Sequence, residues 1–226
     1  MKKLEGKVII LTGCSMGIGK QVAIKYAEEG ARLTICARRE DRLMETKRLC
    51  EEAGGEVLAI PCDIKDTHAV YDMVDQTIQK YGKLDVLVNN AEQGTPGQSI
   101  METSEEAVRG TFETNFFATW HFMQACYPHL KANGGGAILN ICSSAGVLGL
   151  AGYSAYASSK EAIRGLSRVA AREWGHDNIR VNVINPGALT DTVIEVGFAD
   201  KMRSMAERNP IPRAGDPYED VAPSYV

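Results

Sequence analysis

The chain has no long apolar run, no excess of basic charge and no C-x-x-C pair, and each absence closes off a class of function. Nowhere does an uninterrupted hydrophobic stretch approach the ~18 residues of a membrane-spanning helix. The charged start, Met1 to Lys7, leads into only Val8, Ile9, Ile10 and Leu11 before Thr12, which is too short for a signal-peptide core. The reading is therefore a cytoplasmic chain without a membrane partner. Lys and Arg number 25 against 29 Asp and Glu, a net charge of −4, so no sequence-wide basic surface is available for phosphate backbones and no nucleic-acid partner is expected. The cysteines at 14, 36, 50, 62, 126 and 142 and the histidines at 68, 121, 129 and 176 share no ligand spacing, which argues against a metal site and a disulfide framework alike. With 22 Gly and 8 Pro, no stretch is rich enough in either to act as a linker, so residues 1–226 read as one domain. A chain of this length buries roughly 70% of its unfolded surface and needs no staple to be stable.

What is present is an alternation. Short β-branched runs at 7–12, 32–37, 57–62, 84–89, 137–142 and 179–184 are separated by longer segments of helical period, the pattern of a parallel sheet with helices on both faces. Ile18, Val22 and Tyr26 form one helical stripe, ending at Gly30; Val70, Met73, Val74 and Ile78 form another. The fourth helix is expected to open on a capping box, Thr103-Ser104-Glu105-Glu106, and to bury Val108, Phe112, Phe116, Trp120 and Met123. Asn115 lies between two of those aromatics, so its amide is expected to be buried and to need partners.

Four features could carry chemistry. After the first strand, Thr12-Gly13-Cys14-Ser15-Met16-Gly17-Ile18-Gly19 places three glycines at a helix entry, either as a tight turn or as a cradle whose bare amides and positive helix end attract a pyrophosphate. At the end of the second strand, Arg38 and Arg39 follow Ala37. They read equally well as a solvated helix start or as donors to the 2′-phosphate of NADP, at a position where NAD binding would call for an acid. Tyr156 and Lys160 stand one helical turn apart, either packing ring against stem or forming a pair in which the ammonium makes the phenol a usable acid and base. Ser143 and Ser144 follow the fifth strand at its carboxyl end, where a hydroxyl could hold a carbonyl and where turn-forming residues are also common.

Taken together, these residues resemble the short-chain dehydrogenase/reductase family. The likeness runs from residue 6 to about 216 through the Thr12–Gly19 turn, Asp63, Asn89-Asn90-Ala91, Asn115, Ser143, Tyr156 with Lys160, and Asn185-Pro186-Gly187. It implies a Rossmann-like doubly wound α/β sheet. It also implies that Tyr156 is the general acid and base, that Ser143 (thirteen residues before it, hence preferred to Ser144) orients the substrate oxygen, and that Lys160 lowers the Tyr156 pKa and binds the nicotinamide ribose. Asn115 would hold a water linking Lys160 to solvent. The cofactor would lie along Thr12, Gly13, Ser15, Gly17, Ile18, Gly19, Arg38, Arg39, Asp63 at the adenine, Asn90, Ala91, Pro186 and Gly187. The function implied is an NADP(H)-dependent oxidoreductase, preferring NADP(H) to NAD(H), that moves hydride between nicotinamide and a secondary alcohol or ketone. Segments 125–131 and 161–171 look most like bacterial hydroxysteroid dehydrogenases. A homodimer or homotetramer is expected. The competing readings are a catalytically silent dinucleotide-binding regulator or structural subunit of the same fold and, further off, a nucleotide-sugar epimerase, whose usual G-x-x-G-x-x-G spacing this chain lacks.

Three positions depart from the family pattern. Glu92 stands where glycine usually follows Asn-Asn-Ala, either pointing to solvent or shaping substrate choice. Asp191 falls where a threonine is expected to meet the carboxamide, which leaves Thr190 and Thr192 as alternatives. Past residue 216 the family's closing helix and last strand are not found in this sequence, so six strands are expected.

Overall fold

The computed structural model describes residues 2–94, 97–195, 197, 199–207 and 210–226. Six parallel strands form one sheet in the order β3-β2-β1-β4-β5-β6: β1 Val8–Thr12, β2 Arg32–Ala37, β3 Glu56–Pro61, β4 Val86–Asn89, β5 Gly136–Ile141 and β6 Ile179–Ile184. Every residue of β1 is buried, because helices cover both sides of a central parallel strand and no face is left for polar side chains. Its residues alternate between two cores: Val8 and Ile10 pack with Val70, Met73 and Phe122, whereas Ile9 and Leu11 pack with Val22, Tyr26 and Ile35. The strand order reverses between β1 and β4, and the crevice beyond their carboxyl ends is where open sheets of this type bind ligands.

The crossovers are helical. Helix α1 (Gly17–Glu28) follows β1, and the chain turns out of it through Gly30 at φ +85°. Helix α2 (Glu40–Glu52) follows β2; α3 (Thr67–Tyr81) is capped by the Asp66 carboxylate, which accepts from His68 and Ala69 N–H, and stops at left-handed Gly82. After β4 come α4 (Glu105–Phe112), a π-helical turn over Glu113–Phe117, and α5 (Ala118–Ala132). A short α6 (Ser144–Leu148) and the long α7 (Ser154–Trp174) follow β5, and α8 (Asp191–Glu195) and α9 (Ala199–Ala206) follow β6. Residues 217–225 fold back against α1, where the Tyr26 hydroxyl donates to the Tyr225 carbonyl at 2.9 Å.

Two expectations for the fourth helix need correction. The cap is Ser104, whose hydroxyl accepts from Ala107 N–H, while Thr103 is turned onto the Ser99 carbonyl and the Ser154 hydroxyl. Of the expected buried face Met123 is in the core, whereas Val108, Phe112 and Phe116 are half-buried and Trp120 is exposed. The π-turn inserts an extra residue into the helical repeat and rotates Thr114, Asn115, Ala118 and Thr119 inward; Phe117 and Trp120 remain 42% and 40% exposed. Half-buried Phe112 and Phe116 form a ladder with exposed Trp120, ring centroids 6.3 and 6.1 Å apart.

Behind the crevice, Asn89 and Asn140 face each other across β4 and β5. The Asn89 amide donates to Asn140 Oδ1 at 2.8 Å, and Asn140 Nδ2 donates to the Ser167 hydroxyl on α7 at 2.9 Å, all three residues being buried.

Candidate active site

Thr12, the last residue of β1, joins the two turns that floor the crevice. Its hydroxyl accepts from Asn90 N–H at 3.0 Å and Ala91 N–H at 2.9 Å, and the Asn90 side chain returns a bond to the Thr12 carbonyl. The backbones are then so close that a Cβ at Gly13 would lie 2.7 Å from Ala91 Cα, and one at Gly19 would lie 2.2 Å from the Gly13 carbonyl oxygen. Gly13 and Gly17 also take φ of +77° and +61°, so the glycines are demanded by both space and backbone shape. Asn90 and Ala91 thus buttress the turn from behind.

Gly17 opens α1, and its N–H is already held by an anion: Asp191 Oδ1 accepts from it at 2.7 Å. Sequence reasoning placed Asp191 only as a missing threonine. Thr190 is buried and caps the start of α8 through Val193 N–H, and the side chain of Thr192 lies outside what the structure describes. Beside the turn is a cleft of about 340 Å³ lined by Ser15, Lys20, Asp41, Arg42, Glu45 and Asp191. Arg39 reaches the turn, with Nη2 3.4 Å from Ser15 Oγ and also against the Met16 sulfur. Arg38 is exposed and has no hydrogen-bond or ion-pair partner among the described residues. Asp63, just past β3, bends back to accept from Lys65 N–H. Pro186 and Gly187 follow β6 on the other flank, where a Cβ at Gly187 would meet nothing within 4 Å.

The chemical groups converge at the mouth of β4 and β5. Tyr156 and Lys160 share one face of α7, and Lys160 Nζ sits 5.4 Å from the Tyr156 ring centroid. The ammonium is almost wholly buried. It donates to the Ile141 carbonyl at the end of β5 at 2.9 Å and pairs with Glu92 Oε2 at 2.7 Å; the Tyr156 hydroxyl donates to the same Oε2 at 3.0 Å. Ser143 caps α6 through Ala145 N–H and stands close enough to the Tyr156 phenol to oppose the rise in its pKa, whereas Ser144 begins the helix and is exposed.

The electrostatics overturn one expectation. The Tyr156 phenol is pushed well above its ordinary value, first by burial and then by the Glu92 carboxylate, with Ser143 opposing them. The net direction is thus opposite to the lowering expected, and the Lys160 ammonium is partnered by the same carboxylate that repels a phenolate.

Asn115 is placed by the π-turn and is 1% exposed. Its Oδ1 accepts from Gln93 N–H at 2.8 Å, and its Nδ2 donates to the Gln93 carbonyl and the Ser159 hydroxyl, each at 2.9 Å. These bonds clamp the segment after Glu92 and satisfy the buried amide. Next along, Gly94 packs on the tyrosine, where a Cβ would lie 2.6 Å from Tyr156 Cδ2. The sequence hint of this clamp was Asn115 itself, an amide expected to be buried and in need of partners. Among the described residues no His, Cys, Asp or Glu group is arranged to hold a metal, all six cysteines are free and buried, and no helix is long and apolar enough to cross a membrane.

Residues 7–202 match the short-chain dehydrogenase family model. A 12α-hydroxysteroid dehydrogenase from Clostridium sp. is 37% identical over 227 residues, covering 96% of this chain and 87% of its own. L-Sorbose reductase from Gluconobacter frateurii, solved with NADPH and L-sorbose, superposes with a TM-score of 0.92 at 34% identity, covering 99% of this chain and 89% of that one. A 7α-hydroxysteroid dehydrogenase solved with NADH and 7-oxo glycochenodeoxycholic acid superposes at 0.91 with 36% identity, covering 98% and 86%.

Proposed function

The chain belongs to the short-chain dehydrogenase/reductase family, oxidoreductases acting on CH–OH groups and built on this Rossmann-like sheet, and from that premise we propose an NADP(H)-dependent enzyme that interconverts a secondary alcohol and a ketone, hydroxysteroids among its candidate substrates. One observation carries the reading: Tyr156, Ser143 and Lys160 meet at the carboxyl ends of β4 and β5, beside a glycine turn whose Gly17 N–H already attracts a carboxylate. The residues fit a dinucleotide, because the bare amide suits a pyrophosphate oxygen and the buried ammonium suits an electron-rich oxygen.

When bound, the nicotinamide supplies or accepts the hydride. Ser143 Oγ holds the substrate oxygen in line with Tyr156, and the Tyr156 Oη proton moves to that oxygen in reduction and back in oxidation. Lys160 favours the phenolate left behind once its charge is no longer spent on Glu92. Arg39 at the glycine turn, with Arg38 beside it, supports the preference for a 2′-phosphate. Ile100, Met101, Val147 and Leu148 are 60% or more exposed. Their segments flank Tyr153, to which Gln98 forms a bridge, and such an apolar rim suits a bulky apolar substrate. Exposed Phe117 and Trp120, packed on half-buried Phe116, support a homodimer or homotetramer through this face.

A silent cofactor-binding subunit is the second reading, favoured by the Glu92 contact with both Tyr156 and Lys160. NADPH oxidation against a panel of ketones that includes steroids separates the two. Turnover that falls at least ~100-fold in Tyr156→Phe, with NADPH binding kept, supports the enzyme; equal turnover by that variant removes Tyr156 from the mechanism.

A further inference from the structure

Among the described residues Lys160 has two acceptors, the fixed Ile141 carbonyl and the Glu92 carboxylate, and only the second carries charge. A buried ammonium needs a counter-charge or an array of dipoles, so the pair holds Glu92 inward even though that side chain is 45% exposed. A single oxygen, Oε2, takes both the Lys160 ammonium and the Tyr156 hydroxyl, which is the bridging position that one hydroxyl of a vicinal diol would take between them. The backbone beside Glu92 cannot move away easily: Asn115 pins both the N–H and the carbonyl of Gln93, and Gly94 lies against the tyrosine ring. The carboxylate must therefore leave by rotation of its own side chain toward solvent. At the glycine turn Asp191 holds the Gly17 amide in a similar fashion, so two internal carboxylates occupy two polar groups that a dinucleotide would use.

We propose that Glu92 determines the affinity of this cleft for a dinucleotide: its carboxylate holds Lys160 and Tyr156 in the free chain and has to release both before a ribose diol docks there. The inference rests on the oxidoreductase reading and adds to it a competitor built into the chain. Its strength follows from the chemistry, since a charge-assisted contact given up on binding is a direct debit on affinity of about one decade or more.

The experiment measures binding to the full chain, without turnover, of two probes: NADPH, and adenosine 2′,5′-bisphosphate, which carries only the adenine half and does not extend to Lys160. Glu92→Gly removes the competitor, and Glu92→Gln keeps its size while removing its charge. NADPH is expected to bind about tenfold or more tighter to Glu92→Gly and by a smaller factor to Glu92→Gln, with the bisphosphate affinity within about twofold throughout. NADPH affinity unchanged or weakened in both variants overturns the proposal while leaving the dinucleotide reading standing, and so does a bisphosphate affinity that shifts by the same factor. If the natural chain and both variants bind neither probe, the dinucleotide reading falls and takes the proposal with it. Glu92→Gln leaves a buried ammonium without its counter-charge, so thermal unfolding is recorded for every variant and binding is compared at a temperature where all three chains are folded.

Discussion

Replacing Asn115 by alanine tests whether the clamp on Gln93 holds the mouth of the site in place. The change removes three hydrogen bonds of 2.8 to 2.9 Å from a residue 1% exposed. At about 1 kcal/mol for each, the direct loss is about 3 kcal/mol, and the stranded Gln93 N–H adds to it wherever water cannot reach. For a chain of this size 1 kcal/mol moves the Tm by about 2 to 4 °C, so a fall of about 6 to 12 °C is expected by circular dichroism. A shift under about 2 °C would refute the reasoning, since it would mean that the backbone of Gln93 finds other partners at no cost. Asn115→Asp sharpens the test. It keeps the acceptor for Gln93 N–H but turns a carboxylate oxygen toward the Gln93 carbonyl and the Ser159 hydroxyl. The destabilisation should therefore be larger at neutral pH, where the carboxylate is charged, and should ease as acid protonates it and restores a donor. A deficit independent of pH would count against the donor role of Asn115 Nδ2.

Asp85 accepts from Val8 N–H at 2.8 Å and pairs with Lys83 at 2.9 Å; these contacts outweigh its burial and hold its carboxyl below the usual range. Its contribution to stability is complete above the unfolded carboxylate value near ~3.9 and is lost as pH falls through the depressed folded value, so Asp85→Asn should flatten the acid limb of a Tm-against-pH curve; an unchanged limb would exclude Asp85 as a source of acid lability. Arg39→Ala should reduce the NADPH-over-NADH binding ratio, expected at roughly 10 to 100-fold, more than Arg38→Ala does, because only Arg39 is seated on the glycine turn; binding titrations that find NADH and NADPH equal in the natural chain would refute the assignment. Trp120→Lys places a charge on the outer aromatic ladder and should convert the expected homo-oligomer to monomer in light scattering, whereas an unchanged mass would put the interface elsewhere.

The sheet was legible because a parallel strand buried on both faces is written as a continuous apolar run: the spans 32–37 and 179–184 match β2 and β6, and the others lie within two residues of the observed ends. The glycine turn was legible because its spacing encodes a backbone contact, now visible between Gly13 and Ala91 and between Gly19 and Gly13. The aromatic stripe misled because a constant 3.6-residue period was carried through 113–117, where the chain takes a wider turn and exchanges an aromatic face for one of threonine, asparagine and alanine. Either Thr103 or Ser104 could begin a helix, and local spacing does not choose between them. The role of Glu92 could not be read at all. What draws it inward is an ammonium 68 positions later in the chain, buried by packing of α7 on β5, and the carboxylate so held adds to burial in pushing the Tyr156 phenol up.

The amide ladder from Asn89 through Asn140 to Ser167 acts as a checksum on assembly. Hydrophobic side chains tolerate sliding, since valine against leucine and valine against isoleucine are nearly equivalent neighbours, and β4 and β5 are otherwise built from such residues. A shift of one position in pairing would turn Asn140 to the opposite face and leave two amides among aliphatic groups, a penalty on the order of 1 to 3 kcal/mol for each stranded group. In the observed alignment the Asn89 and Asn140 side chains meet, only Asn89 Oδ1 of the ladder staying unpaired among the described residues, and the same alignment brings the Ile141 carbonyl to Lys160. Mispaired intermediates are thus rejected by a row of buried polar groups lying one residue behind the chemistry. Substituting Asn140 by leucine should then leave a chain that still collapses yet loses the sharpness of its unfolding transition.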